Sequence, residues 1–70
     1  MRAISARNVI KGGVKKITVG VVNAEVTIEV AAGIEIVAMI TKASAERLNL
    51  KEGKEAYAII NASSVMVGID

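Results

Sequence analysis

Apolar and polar side chains alternate without a fault over Ala24-Glu25-Val26-Thr27-Ile28-Glu29-Val30. Ala24, Val26, Ile28 and Val30 fall on one side of an extended chain and Glu25, Thr27 and Glu29 on the other, which predicts a strand with one face in a core. Ala31-Ala32-Gly33 then turns the chain into residues 34–40. There Ile34, Ile36, Ala38 and Ile40 share a face, while Val37 and Met39 make the other face partly apolar, so a second buried face is expected. The same two-sided pattern returns in residues 55–61, with Tyr57 and Ile59 opposite Ala56, Ala58 and Ile60. Residues 64–69 read as a last strand. Near the start, residues 4–17 are interrupted by Gly12-Gly13, which reads either as a bulge or bend in one long strand or as a break between two short ones.

The period changes at Thr41. Thr41-Lys42-Ala43-Ser44-Ala45-Glu46-Arg47-Leu48 holds helix formers behind an N-cap candidate, Thr41, and sets Leu48 to pack back on the sheet. Residues 49–54 read as the exit turn. Glycines at 12, 13, 20, 33, 53 and 68 cut the chain at the spacing of a small barrel or sandwich. Five strands with one short helix between the third and the fourth outline a mostly β, OB-like Greek-key barrel.

Composition agrees. Ten Val and ten Ile against two Leu favour strands, because branched side chains suit a pleated surface. Seventy residues make one domain, 1–70, and a chain this short buries only about 60% of its unfolded surface, so it needs a staple. With no Cys and no His, disulfides, thiolate nucleophiles, zinc-type clusters and His-based acid/base catalysis are excluded. Oligomerisation is the staple left, and strands apolar on both faces fit packing against another copy. No run reaches the roughly 18 apolar residues of a membrane helix. Met1-Arg2-Ala3-Ile4-Ser5 also lacks the apolar core of a signal peptide, so a cytoplasmic protein without a membrane partner is expected. A net charge of +2 makes any anion binding a local affair.

An enzyme is not expected. Glu25, Glu29 and Glu35 read as solvated strand positions, Ser63-Ser64 has neither a nucleophile elbow nor a His to activate it, and the glycines form no phosphate-cradling run. What remains is three groups of hydrogen-bond donors at segment ends. Ser5 and Arg7, two apart on an extended strand, point to the same side. Thr41 and Ser44 stand where a helix begins and unpaired N–H groups favour an anion. Asn61, Ala62 and Ser63 follow the fourth strand with an amide, backbone N–H groups and a hydroxyl. Each group also has a plain structural explanation, as a helix cap, a turn or a surface charge.

The run Ile4-Ser5-Ala6-Arg7-Asn8 with Lys11-Gly12 resembles the opening of the molbindins, or Mop domains. Further similar blocks follow in order: Gly20-Val21-Val22-Asn23-Ala24-Glu25-Val26, Ile40-Thr41 with Ser44, residues 48–56, and residues 59–67. The resemblance spans about residues 4–69. It implies an OB-like protein that binds molybdate, and tungstate as well, without altering it, and that serves molybdenum storage or homeostasis. It further implies a homo-oligomer, a hexamer in single-domain members, with oxyanion sites between subunits. With neither a helix-turn-helix nor a Walker motif, the chain resembles the free-standing form. Carried over residue by residue, the family's oxyanion contacts fall on Ser5, Arg7, Thr41, Ser44, Asn61, Ala62 and Ser63. A tetrahedral dianion offers only acceptors, so a site of donors without carboxylates suits it. Many members carry Lys where this chain has Asn61, and losing that cation removes a charge-assisted bond worth about 1.5–3 kcal/mol. Sulfate would be discriminated by size, since a rigid cavity set for the larger ion leaves it under-coordinated. Two other functions fit the outline. An OB-type single-stranded nucleic-acid binder needs an aromatic platform that Tyr57 alone does not make, and a purely structural assembly module would use the donors as caps and turns only.

Overall fold

The computed structural model describes residues 7–70. Its longest element, β1 (Asn8–Val19), owes its path to glycine. From Asn8 to Gly13 it pairs antiparallel with β4 (Glu55–Ile60), and from Gly13 to Val19 it pairs antiparallel with β2 (Asn23–Ala31). The strand therefore passes from one neighbour to the other at Gly12-Gly13, within a single element. A Cβ on Gly12 would lie 2.6 Å from the Glu29 carbonyl oxygen and 2.7 Å from Ile28 Cγ2, so only glycine lets the backbones approach so closely here. A register shift between Val14 and Lys16 marks a bulge just beyond. Val14 at this corner donates to the Lys54 carbonyl and accepts from the Gly53 N–H, both at 2.8 Å.

β3 (Ile34–Thr41) completes an antiparallel sheet in the order β3-β2-β1-β4. The β2–β3 turn places Gly33 at φ +76°, where a Cβ would be strained. Curling gathers Val14, Val26, Ile28 and Ala58 into the core, with Ile17, Val30, Ile36, Ile40, Leu50 and Ala56 packed around them. The inward set expected for β2 is observed: Ala24, Val26 and Ile28 are buried and Val30 is half-buried. Val37 and Met39 present the apolar outer face expected for β3 and are exposed in the single chain.

Two expectations change. Leu48 does not carry the packing of α1 (Lys42–Arg47); it is the C-cap and is 54% exposed, while Ala45 is the buried residue of the helix. The cause is a Schellman closure. Asn49 takes φ 54°, its N–H donates to the Glu46 carbonyl (3.0 Å), and the Leu50 N–H donates to that of Ala45 (3.1 Å). Lys54 Nζ satisfies the last carbonyls, of Leu48 (3.0 Å) and Asn49 (3.1 Å). The closure swings Leu50 onto the core in place of Leu48.

The second correction is the fifth strand expected over residues 64–69, which does not form within the chain. Ala62–Ser64 makes a 3₁₀ turn, in which Ser64 N–H donates to the Asn61 carbonyl (2.9 Å), and the residues beyond it pair with no strand. Among the described residues the fold is thus a curled four-stranded sheet with one short helix, and β3 and β4 are its free edges.

Candidate functional site

The last rung between β1 and β4 pairs Asn8 with Ile60, and Asn8 Nδ2 donates to the Ile60 carbonyl at 3.2 Å. This register places Arg7 and Asn61 one step beyond the final rung, on adjacent chains at the same end of the sheet. Arg7 is exposed. Asn61 is extended (φ −65°, ψ 140°), and its side chain does not cap the turn that follows, so its amide is left to the outside. Ala62 and Ser63 are exposed in that turn, whose first residues include no acid. Two of the three donor groups expected from sequence are therefore brought together. Ser5 lies outside the described residues.

Thr41 does what its position predicts. Its Oγ1 accepts from the Ser44 N–H at 3.0 Å, capping α1, and its hydroxyl donates to Ser44 Oγ at 2.8 Å. The Ser44 hydroxyl thereby keeps its own proton for an outside acceptor. The first turn of α1 has no acidic residue, and the Lys42 N–H is already taken by the Val22 carbonyl (2.7 Å). In the sheet, Thr41 pairs with Asn23, at the end where β1 finishes. Arg7 and Asn61 stand where β1 begins, so the chain holds its donor groups at opposite ends of a 12-residue strand. A single copy does not gather them.

Three of the carboxylates, Glu29, Glu35 and Glu55, are paired with lysines. Glu29 and Glu35 face each other across β2 and β3, a like-charge pair that would repel. Lys15 of β1 lies against both, with Nζ hydrogen-bonded to Glu35 and 3.9 Å from Glu29. That hydrogen bond, then the charge of Glu35 and that of Glu29, raises the Lys15 pKa above its ordinary value. Lys11 pairs with Glu55 at 3.2 Å. Among the described residues no group of three His, Cys, Asp or Glu could hold a metal cation.

Sequence reasoning missed one feature of the surface, an apolar slot of about 340 Å³ between the free edges β3 and β4. Its signal was present in Ala38 and Ile40 of β3 and in the two-sided apolar pattern of β4, where Tyr57 and Ile59 stand opposite Ala56.

Residues 4–67 match the TOBE domain. A relative from Haemophilus influenzae, named a probable molybdenum-pterin-binding protein, is 51% identical over 67 residues, 96% of this chain and 97% of the relative. The chain belongs to the TOBE family, as a molbindin. Two solved molbindin structures extend the likeness. MopII from Clostridium pasteurianum superposes with a TM-score of 0.90 at 43% identity, over 96% of this chain and all of that one. The cytoplasmic molybdate-binding protein ModG, solved with molybdate bound, gives a TM-score of 0.93 at 46% identity over 99% of this chain and 49% of its own, so this molbindin spans about half the length of ModG.

Proposed function

We propose that this molbindin binds molybdate as an intact tetrahedral dianion, and tungstate by the same contacts, at sites shared between copies of the chain. Its role is molybdenum storage or homeostasis in the cytoplasm, without catalysis, as a one-domain protein assembled into a hexamer. The observation that carries this is the arrangement of the donors. Arg7 and Asn61 with the Ala62-Ser63 turn stand at one end of β1, and Thr41 with Ser44 stands at the other. Joining copies is the way to bring the two ends around one ion. The likeness to MopII and to ModG with molybdate bound supports the ligand.

Each contact has a defined part. The Arg7 guanidinium supplies the charge and a planar pair of donors to two oxo groups. Ser5 and Ser44 add hydroxyl protons, Thr41 orients Ser44, and Ala62 and Ser63 add the N–H groups and hydroxyl of their turn. Asn61 gives a neutral amide where many molbindins have Lys, so affinity falls by about one to two decades relative to a Lys-bearing site. Distances fixed by the packed chains discriminate against sulfate, whose shorter bonds leave some donors unpaired.

Calorimetric titration of molybdate in excess sulfate tests this. The expected result is a molybdate heat that persists under sulfate, with tungstate competing for the same sites. Sulfate abolishing the heat at comparable concentration would reject a selective oxyanion site.

A further inference from the structure

Helix α1 is too short and too shallowly packed to keep its own place. Its six residues fall well below the roughly 12–15 that an isolated helix needs, and Ala45 is the one side chain it buries. What holds it is its two ends. At the first, Thr41 caps the Ser44 N–H and the Val22 carbonyl takes the Lys42 N–H. At the second, the Lys54 ammonium reaches back across the exit turn and donates to the carbonyls of Leu48 and Asn49. A cation there complements the negative end of the helix and makes a stronger bond to a carbonyl than a neutral donor would. Among the described residues this ammonium has no carboxylate partner, since Lys11 takes the neighbouring Glu55.

These bonds run in series to the hydroxyl that the proposed function gives to the ion. Leu48, whose carbonyl takes the ammonium, donates its N–H to the Ser44 carbonyl at 2.9 Å. Ser44 in turn is held at its N–H and at its Oγ by Thr41. The other end of the series is anchored in the sheet. The Lys54 carbonyl accepts from the N–H of buried Val14, and the Gly53 N–H returns to the Val14 carbonyl. The Lys54 N–H closes the turn on the Lys51 carbonyl at 3.1 Å. Lys54 therefore springs from the corner where β4 begins, beside the Gly13–Glu55 rung, and the same β1–β4 ladder has Arg7 and Asn61 just past its far rung. One ladder sets both donor groups, Arg7 with Asn61 through the backbone and Ser44 through the Lys54 side chain.

We propose that Lys54 is a positioning residue of the oxyanion site, whose ammonium straps the end of α1 to the β1–β4 corner and so holds the Ser44 hydroxyl in a fixed place. It touches no ion itself. Its effect is on selectivity as well as affinity, because donors read the size of an ion only while their distances are fixed. This inference rests on the proposed binding of molybdate.

Lys54 also lines the apolar slot, so the test substitution is Lys54→Met, which keeps an unbranched stem there and removes the ammonium. Calorimetry should show molybdate binding weakened about 3- to 10-fold, with a narrower preference over sulfate, at an unchanged mass by light scattering. Lys54→Arg, which restores a cation with several donors, should recover most of the loss. In a Ser44→Ala background, Lys54→Met should cost no further affinity, because the hydroxyl it positions is gone. An equal loss in both backgrounds, or none in either, overturns the positioning role. A second measurement needs no ion. Amide hydrogen exchange at Leu48 and Asn49 should quicken in Lys54→Met while Val26 in the sheet keeps its rate, and an unchanged rate at Leu48 overturns the strap. Quickened exchange in a protein whose native chain takes up no molybdate would sink the oxyanion function and leave the strap standing. Native binding without the coupling to Ser44 would sink only the positioning role.

Discussion

Arg7 is the one cation within the three donor groups, and it is exposed at the very start of the described chain. Its substitution separates binding from folding, because no core contact depends on it. Arg7→Ala is expected to weaken molybdate binding about 10- to 100-fold, the worth of one charge-assisted bond, while light scattering shows the same assembly. Unchanged affinity by calorimetry would remove Arg7 from the site. Residue chemistry of this kind was legible in the sequence, since hydroxyl, amide and guanidinium groups and the absence of acids near them are properties of residue types and spacing. The fate of Leu48 was not. Whether Leu48 or Leu50 reaches the core depends on Asn49 adopting a left-handed conformation, which asparagine tolerates but does not announce.

Among the elements, β2 was legible throughout, because one face meets core and the other meets solvent and the period of two records both. Residues 65–69 show the limit of that pattern. They alternate as a strand does yet pair with no strand of the chain, because alternation names faces and not partners. The Gly12-Gly13 ambiguity was resolved by packing, since the close approach of Ile28 and Glu29 keeps one strand continuous where sequence allowed two. Lys15 shows strands held by charge as well as by ladders. Its folded pKa lies above the unfolded value of about 10.4, so the ion pairs contribute fully below that pH and are lost as pH rises through the folded value. Screening at this exposed site keeps the effect small. Urea midpoints measured from neutral to strongly alkaline pH should therefore fall somewhat more for the native chain than for Lys15→Gln, which lacks the pairing. Parallel curves would show that Lys15 does not stabilise the β2–β3 pair.

For the whole molecule, the four-stranded sheet with its short helix was largely readable, whereas the separation of the donor groups to opposite ends of β1 was not, because alternation reports faces and not distances along the chain. On the proposed function, a complete site needs more than one copy. Assembly and ligand should therefore act on stability together. The thermal midpoint is expected to rise with protein concentration and to rise further with molybdate than with equimolar sulfate. Molybdate at a hundred times its Kd would contribute about 2.7 kcal/mol per site, several degrees for a domain of this size. Equal shifts from the two ions would reject specific binding.

On the proposed function, donor groups held at the far ends of β1 give the protein a threshold. A newly made chain, alone, would have no pocket to fill, and doubling the number of chains in a dilute population would more than double the number of complete pockets. Capacity for the ion would then climb steeply with expression, so that a cell could change how much it holds by a modest change in synthesis, and could empty the reserve by letting the chains thin out.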